Sequence, residues 1–388
     1  MKRGISSLVI ASAILTGTAF TPVGLNEVSA ASFQQQKANE KKETVLSTDV
    51  KKKKVYTLEE LAAGLVSGNT YNPQWVNNSS ILVTNETEVA SRSLLINTAS
   101  KRPDFTINAT ELVVSPDGKQ AIYSNENGFV YLVNLVAGIV KPLNINDDSV
   151  KLDFVWSKDG QDVYFIKGEK SDEVSSIDLS TGAIKGIFKD TLIYKTDLRL
   201  SDDGKKLLYI VGKEGITKTT EGDEPEVVSI DLTGTEDQFY VINLEDEKPE
   251  GVALTTSTDN KVSPAFLQTG NVVYISANAD SDKNPELKVI NASGKDVKVS
   301  TLVENMDIIS FKVTAEGKIM LLAKVDENFV IYEVNPDTKA LTKVAETKLV
   351  LTSFNISNDG KSIAATTPGE NGDVVVVYKN GEFIAVTK

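Results

Sequence analysis

Asp280, Asp282, Asn284 and Glu286 place oxygen-bearing side chains at every second position, the most metal-like spacing in this 388-residue sequence. Calcium loops gather hard oxygen ligands in this way. The match is partial. Pro285 stands where an EF-hand loop needs glycine for its sharp turn, and Asn291 where it needs a bidentate glutamate. A calcium site and an ordinary loop between two strands are therefore both open readings, and no other cofactor is expected.

A second concentration of carboxylates runs from Lys213 to Asp237. Glu214, Glu221, Asp223, Glu224, Glu226, Asp231, Glu236 and Asp237 outnumber Lys213 and Lys218 there, for a net charge of −6. Other chemistry is limited by what the chain lacks. With no histidine and no cysteine, Ser-His-Asp and Cys-His nucleophiles, His-ligated zinc and the commonest neutral-pH base are all excluded. Two carboxylates can still cleave a glycosidic bond, but spacing alone marks out no pair. The expectation is a chain that is not an enzyme, with a carboxylate-dependent enzyme acting on carbohydrate or lactone, with or without calcium, as the alternative.

The elements that carry these residues form a repeat. Ser115-Pro116-Asp117-Gly118, Ser157-Lys158-Asp159-Gly160, Ser201-Asp202-Asp203-Gly204 and Ser357-Asn358-Asp359-Gly360 each separate two apolar runs. Asp-Gly between such runs marks a hairpin, because glycine accepts the positive φ of a tight turn. Weaker copies end at Gly270 and Gly317, and Ser79 takes the glycine place in the first. Four residues before the turn stand Trp75, Val114, Trp156, Leu200, Phe266, Val313 and Ile356; three after it stand Leu82, Ala121, Val163, Leu207, Val273, Met320 and Ile363. Both columns are wholly apolar, as buried faces of strands require. A third strand ends in Asn or Asp, as at Ile96-Asn97, Val133-Asn134, Ile177-Asp178, Ile242-Asn243, Ile290-Asn291 and Val334-Asn335. Four short antiparallel strands, repeated about seven times, predict an all-β propeller in which each blade buries its faces against its neighbours. The interval from Gly204 to Asn243 is longer than its counterparts, so the acidic stretch is an insertion in the fourth unit, with Val227 to Ile230 as an extra strand.

Thr258 to Phe266, Val272 to Ser276 and Asp280 to Leu287 resemble the repeats of TolB-like proteins, and Tyr56 to Leu61 with Tyr71 to Trp75 resembles the start of the N-terminal propeller in the dipeptidyl-peptidase and prolyl-oligopeptidase families. A short helix is expected to precede the blades, capped by Thr57 with Glu60 three residues on. The resemblance implies a propeller without the α/β-hydrolase half of those peptidases, and no Gly-x-Ser-x-Gly elbow occurs. It further implies a protein- or peptide-binding module.

Charge and termini complete the expectation. Residues 1–30 read as a signal peptide, with Lys2 and Arg3 before an apolar run and Val28-Ser29-Ala30 at the cleavage site. Residues 31–54 form a basic disordered linker, and residues 55–388 the propeller. Taking the leader's +1 and the linker's +4 out of the total of −13 leaves −18 for the propeller. Such a body repels nucleic acid and attracts basic partners. The loops between second and third strands and those between units share one face, where Asp147, Asp148, Asp197, Asp259, Asp307 and the insertion gather, the predicted surface for a basic protein or peptide. The expected protein is a secreted monomer from a Gram-positive-like source without a membrane span, held to the cell wall by its basic segment or acting as an envelope-associated structural protein.

Overall fold

The computed structural model describes residues 65–388 except 214–215, 220–226, 232–233, 278–282 and 292–296. The helix expected around Thr57 lies outside the described residues, and within them there is no helix, hence none long and apolar enough to cross a membrane.

The strands form seven four-stranded antiparallel blades. These are β1–β4 (69–107), β5–β8 (113–144), β9–β12 (151–189), β13, β14, β17 and β18 (195–253), β19–β22 (260–303), β23–β26 (307–347) and β27–β30 (353–385). The fourth blade carries a separate hairpin, β15 (Ile216–Thr219) with β16 (Val227–Asp231), between its second and third strands. This is the predicted insertion with its extra strand. The first strand of each blade lies innermost: β1 touches both β5 and β27, and β13, β19, β23 and β27 meet in chain order, closing a ring around one axis.

Burial follows the repeat. Every residue three places after the turn is buried, and seven clusters of apolar side chains fill the seven gaps between adjacent blades. Trp156 shows how a blade is fastened to its neighbour, since it is only 7% exposed and its indole N–H donates to the Val113 carbonyl at 3.0 Å. Trp156→Ala is expected to cost about 3–5 kcal/mol through the cavity and the orphaned carbonyl, read as a shifted urea midpoint. Lys119→Ala, on an exposed turn, is the matched control and is expected to shift it by less than about 0.5 kcal/mol.

The four Ser-x-Asp-Gly turns share one set of bonds. The serine hydroxyl donates to the aspartate two residues on at 2.6–2.7 Å and accepts the amide five residues on, while the glycine, at φ near +70°, donates its amide back to the serine carbonyl. Hydrogen bonds from the serine and the following amides hold Asp159 and Asp359 below the usual carboxylate range. The Asn and Asp residues ending the third strands make similar local turns; Asn134 Oδ1 accepts the amides of Val136 and Ala137. These residues are therefore structural.

The ring closes without exchange of a strand. Val66 bridges to Thr387, accepts the Lys388 amide at 2.8 Å and packs with Trp75, Val375 and Val386. The Asp373 amide adds a bond to Asn69 Oδ1 at 2.8 Å.

Candidate functional site

Seven residues before each turn, the inner strand carries Asn72, Glu111, Asp153, Asp197, Ser263, Ser310 and Ser353, a column as consistently polar as its neighbours are apolar. The first five have φ between 52° and 59°. In β1, β9, β13 and β19 the ladder register breaks at this place. A bulge of this kind re-aims a side chain that regular pleating would bury between blades, and left-handed backbone at non-glycine residues costs about 1–3 kcal/mol. Two residues further on, four of the seven blades again carry a polar residue: Gln74, Arg199, Lys312 and Asn355.

Their bonds run from blade to blade around the ring. The Asp197 amide donates to Asp153 Oδ2 at 2.6 Å, and Gln74 Nε2 donates to the Leu112 carbonyl at 2.7 Å. Arg199 pairs with Asp197 and donates Nε to the Pro264 carbonyl at 3.2 Å and Nη1 to the Leu198 carbonyl at 3.0 Å. Burial raises Glu111, and the Asp153 charge raises it further. Asp153 is raised mainly by burial and also by Asp197; the Asp197 amide and the Arg199 charge oppose this without cancelling it. Burial lowers the Lys312 ammonium, and Arg199 lowers it again. Blades 2 and 3 thus bring two acids that resist ionisation, blade 4 an Asp–Arg pair and blade 6 a lysine that resists protonation to one axial cluster. Perturbed groups of this kind collect at functional sites.

Asp147 and Asp259 clasp buried lysines rather than standing open. Lys151, Lys195 and Lys261, nine residues before the turn in three successive blades, have fully buried side chains. Lys151 Nζ donates to the carbonyls of Gly128, Asp147 and Ser149 at 2.8–2.9 Å, with Asp147 Oδ1 at 3.3 Å. Lys195 Nζ donates to Asp190 Oδ1 at 2.6 Å and to the carbonyls of Asp172 and Leu192. Lys261 Nζ donates to the carbonyls of Ser257 and Asp259 at 2.7 and 2.8 Å, with Asp259 Oδ1 at 3.3 Å. Each ammonium ties the preceding blade's strand 2–3 loop to the segment joining two blades. Burial pushes Asp147 and Asp259 up, but hydrogen bonds and the adjacent lysine charges outweigh it and hold both below the ordinary range.

The remaining sequence-named residues are dispersed. Asp197 belongs to the axial cluster, Asp148 is exposed, and Asp307 is half-buried at the start of β23. Glu221, Asp223, Glu224 and Glu226 lie outside the described residues, as do Asp280 and Asp282. Asn284 is exposed, and Glu286 lies 3.0 Å from Lys288 Nζ. Both border an open hollow of about 320 Å³ with Lys283, Glu304 and Asn305. Among the described residues no three His, Cys, Asp or Glu groups gather to hold a metal ion. The apolar columns around the turn carry no mark of Glu111, Asp153, Arg199 and Lys312; the polar column seven residues before it, which holds the first two, is the signal in the sequence.

No family model matches the sequence, and no curated protein matches it. The fold does have counterparts. Oligogalacturonate lyase from Vibrio parahaemolyticus is 14% identical, with a TM-score of 0.55 over 83% of this chain and 87% of that one. A puromycin hydrolase S511A mutant complexed with PGG gives 12% and 0.59 over 83% and 54%, and Pyrococcus horikoshii acylaminoacyl peptidase 10% and 0.57 over 83% and 52%. This chain therefore spans about half the length of those two peptidases and most of the lyase. At these identities the likeness establishes the seven-bladed propeller fold alone. It also corrects the expectation that the chain is not an enzyme. A lyase of nearly the same extent is built on this fold, so a propeller that lacks a hydrolase half can belong to an enzyme.

Proposed function

We propose that this chain is an exported propeller enzyme that acts on a carbohydrate or lactone with the carboxylates gathered at its axis. The observation that carries this is the convergence of Glu111, Asp153, Asp197, Arg199 and Lys312 on the inner ring, with raised acids beside a lowered lysine. Burial raises both Glu111 and Asp153, and the Asp153 charge raises Glu111 further. Such a pair supplies a donor for a departing oxygen and an acceptor for the proton of an attacking water. Enzymes of lyase and peptidase type among the structural counterparts fit this reading without assigning a substrate. Attachment of a basic protein to the loop face has less support, because Asp147 and Asp259 are committed to lysines.

Turnover is the test. Purified protein is offered a panel of polysaccharides, oligosaccharides and lactones between pH 5 and 8, with and without calcium, and products are followed by chromatography. Product formation that Glu111→Gln abolishes at an unchanged melting temperature is the expected result. Failure to bind or convert any member of the panel would overturn the proposal.

A further inference from the structure

Lys312 stands apart from the other cations of the inner strands. Lys151, Lys195 and Lys261 each fill their donors with carbonyl and carboxylate oxygens, and Arg199 is taken up by Asp197, Pro264 and Leu198. Among the described residues Lys312 has no hydrogen-bond or ion-pair partner, only the fields of Arg199 and Asp197. Two residues before it on β23, and so on the same side of the strand, Ser310 Oγ is enclosed and also lacks a partner. Buried polar groups are nearly always satisfied, so the orphaned Ser310 hydroxyl beside the half-buried, unpaired Lys312 ammonium makes this side of the inner strand suited to receive an anion. The intervening fifth blade presents only Ser263 and Ala265 at the matching positions, and the Arg199 side chain reaches onto it to bond the Pro264 carbonyl.

From this we infer that Lys312 and Ser310 form an anion subsite that takes the carboxylate of a hydroxylated acid, such as a sugar acid, within the axial site proposed above. The inference rests on that reading. Charge selects the ligand class. Arg199 is neutralised by Asp197, which leaves one uncompensated cation and favours a single negative charge. Glu111 and Asp153 on the same ring disfavour a phosphate dianion, while their oxygens can bond sugar hydroxyls. Unlike the Arg199 guanidinium, the ammonium has all three donors free to follow a ligand oxygen.

Calorimetric titration of glucuronate, glucose and glucose 6-phosphate into wild type, Lys312→Met and Ser310→Ala provides the test. Wild type is expected to bind glucuronate at least about tenfold more tightly than glucose, and more tightly than glucose 6-phosphate. Lys312→Met should lose that preference while keeping glucose affinity, and Ser310→Ala should reduce it by about threefold. Thermal melting of each variant confirms folding, and Ser310→Ala carries the test if Lys312→Met does not fold. A wild type that favours glucose 6-phosphate, or that binds glucuronate no better than glucose, overturns the subsite. So does a folded Lys312→Met that retains the preference. If glucose still binds and panel substrates are still converted, only the subsite falls; if no sugar binds and nothing is converted, both it and the proposed function fall.

Discussion

Lys195→Ala is expected to destabilise the protein by about 3–5 kcal/mol, because it removes a fully buried ammonium and strands a partner carboxylate that is only 25% exposed. The truncation leaves Asp190 Oδ1 and the carbonyls of Asp172 and Leu192 without their donor. It also removes a cation that sits 5.7 Å from the ring centres of both Phe188 and Tyr209. Lys158→Ala, which deletes an exposed pair with Asp202 at 2.8 Å, should cost less than about 1 kcal/mol. Urea unfolding of the two variants separates these outcomes. Equal midpoints would mean that the lysine clasps do not hold the third, fourth and fifth blades together.

Asp153→Asn should lower turnover by about 10²- to 10⁴-fold, the usual contribution of a positioned acid or base, without loss of stability at pH 7. The two effects have one origin. The folded protein raises the Asp153 pKa through burial above all, so between the ordinary carboxylate range and that raised value the folded state binds more protons than the unfolded chain. Stability from this group is complete at pH below the unfolded pKa and is lost as pH rises through the window. Asparagine can still accept the Asp197 amide and has no charge to bury. The variant should therefore lose that part of the pH slope and match or exceed wild type at pH 7. Melting curves from pH 4 to 7 check this. A variant markedly less stable than wild type at pH 7 would show that the carboxylate is structural.

Much of the fold was legible because it rests on local chemistry repeated in register. Asp117-Gly118 and its copies announce their turns, and columns such as Leu82 to Ile363 announce the buried face between blades. The insertion was legible from interval length, and Val227 to Ile230 as a strand from its β-branched run. The site was legible only in Asp197. Acidic loop residues are numerous, yet number says little about which carboxylates have a partner: Asp147 meets Lys151 four residues on and Asp259 meets Lys261 two residues on, pairs that matter because each ammonium turns inward and is buried under its own linker, which a linear spacing does not show. Glu111, Asp153 and Lys312 matter through neighbours in other blades, and such neighbours depend on ring closure and on the inner-strand bulge. Both are tertiary properties.

Hydrogen exchange of the wild-type protein with and without saturating glucuronate tests the central claim, that the protein works at its axis, most directly. Slowed exchange is predicted in the inner strands Lys151–Trp156, Lys195–Leu200 and Asp307–Val313, with the outer strands unchanged. Protection confined to the loops around Asp148 and Glu304, or to the Asp-Gly turns, would contradict the account and place the functional surface elsewhere.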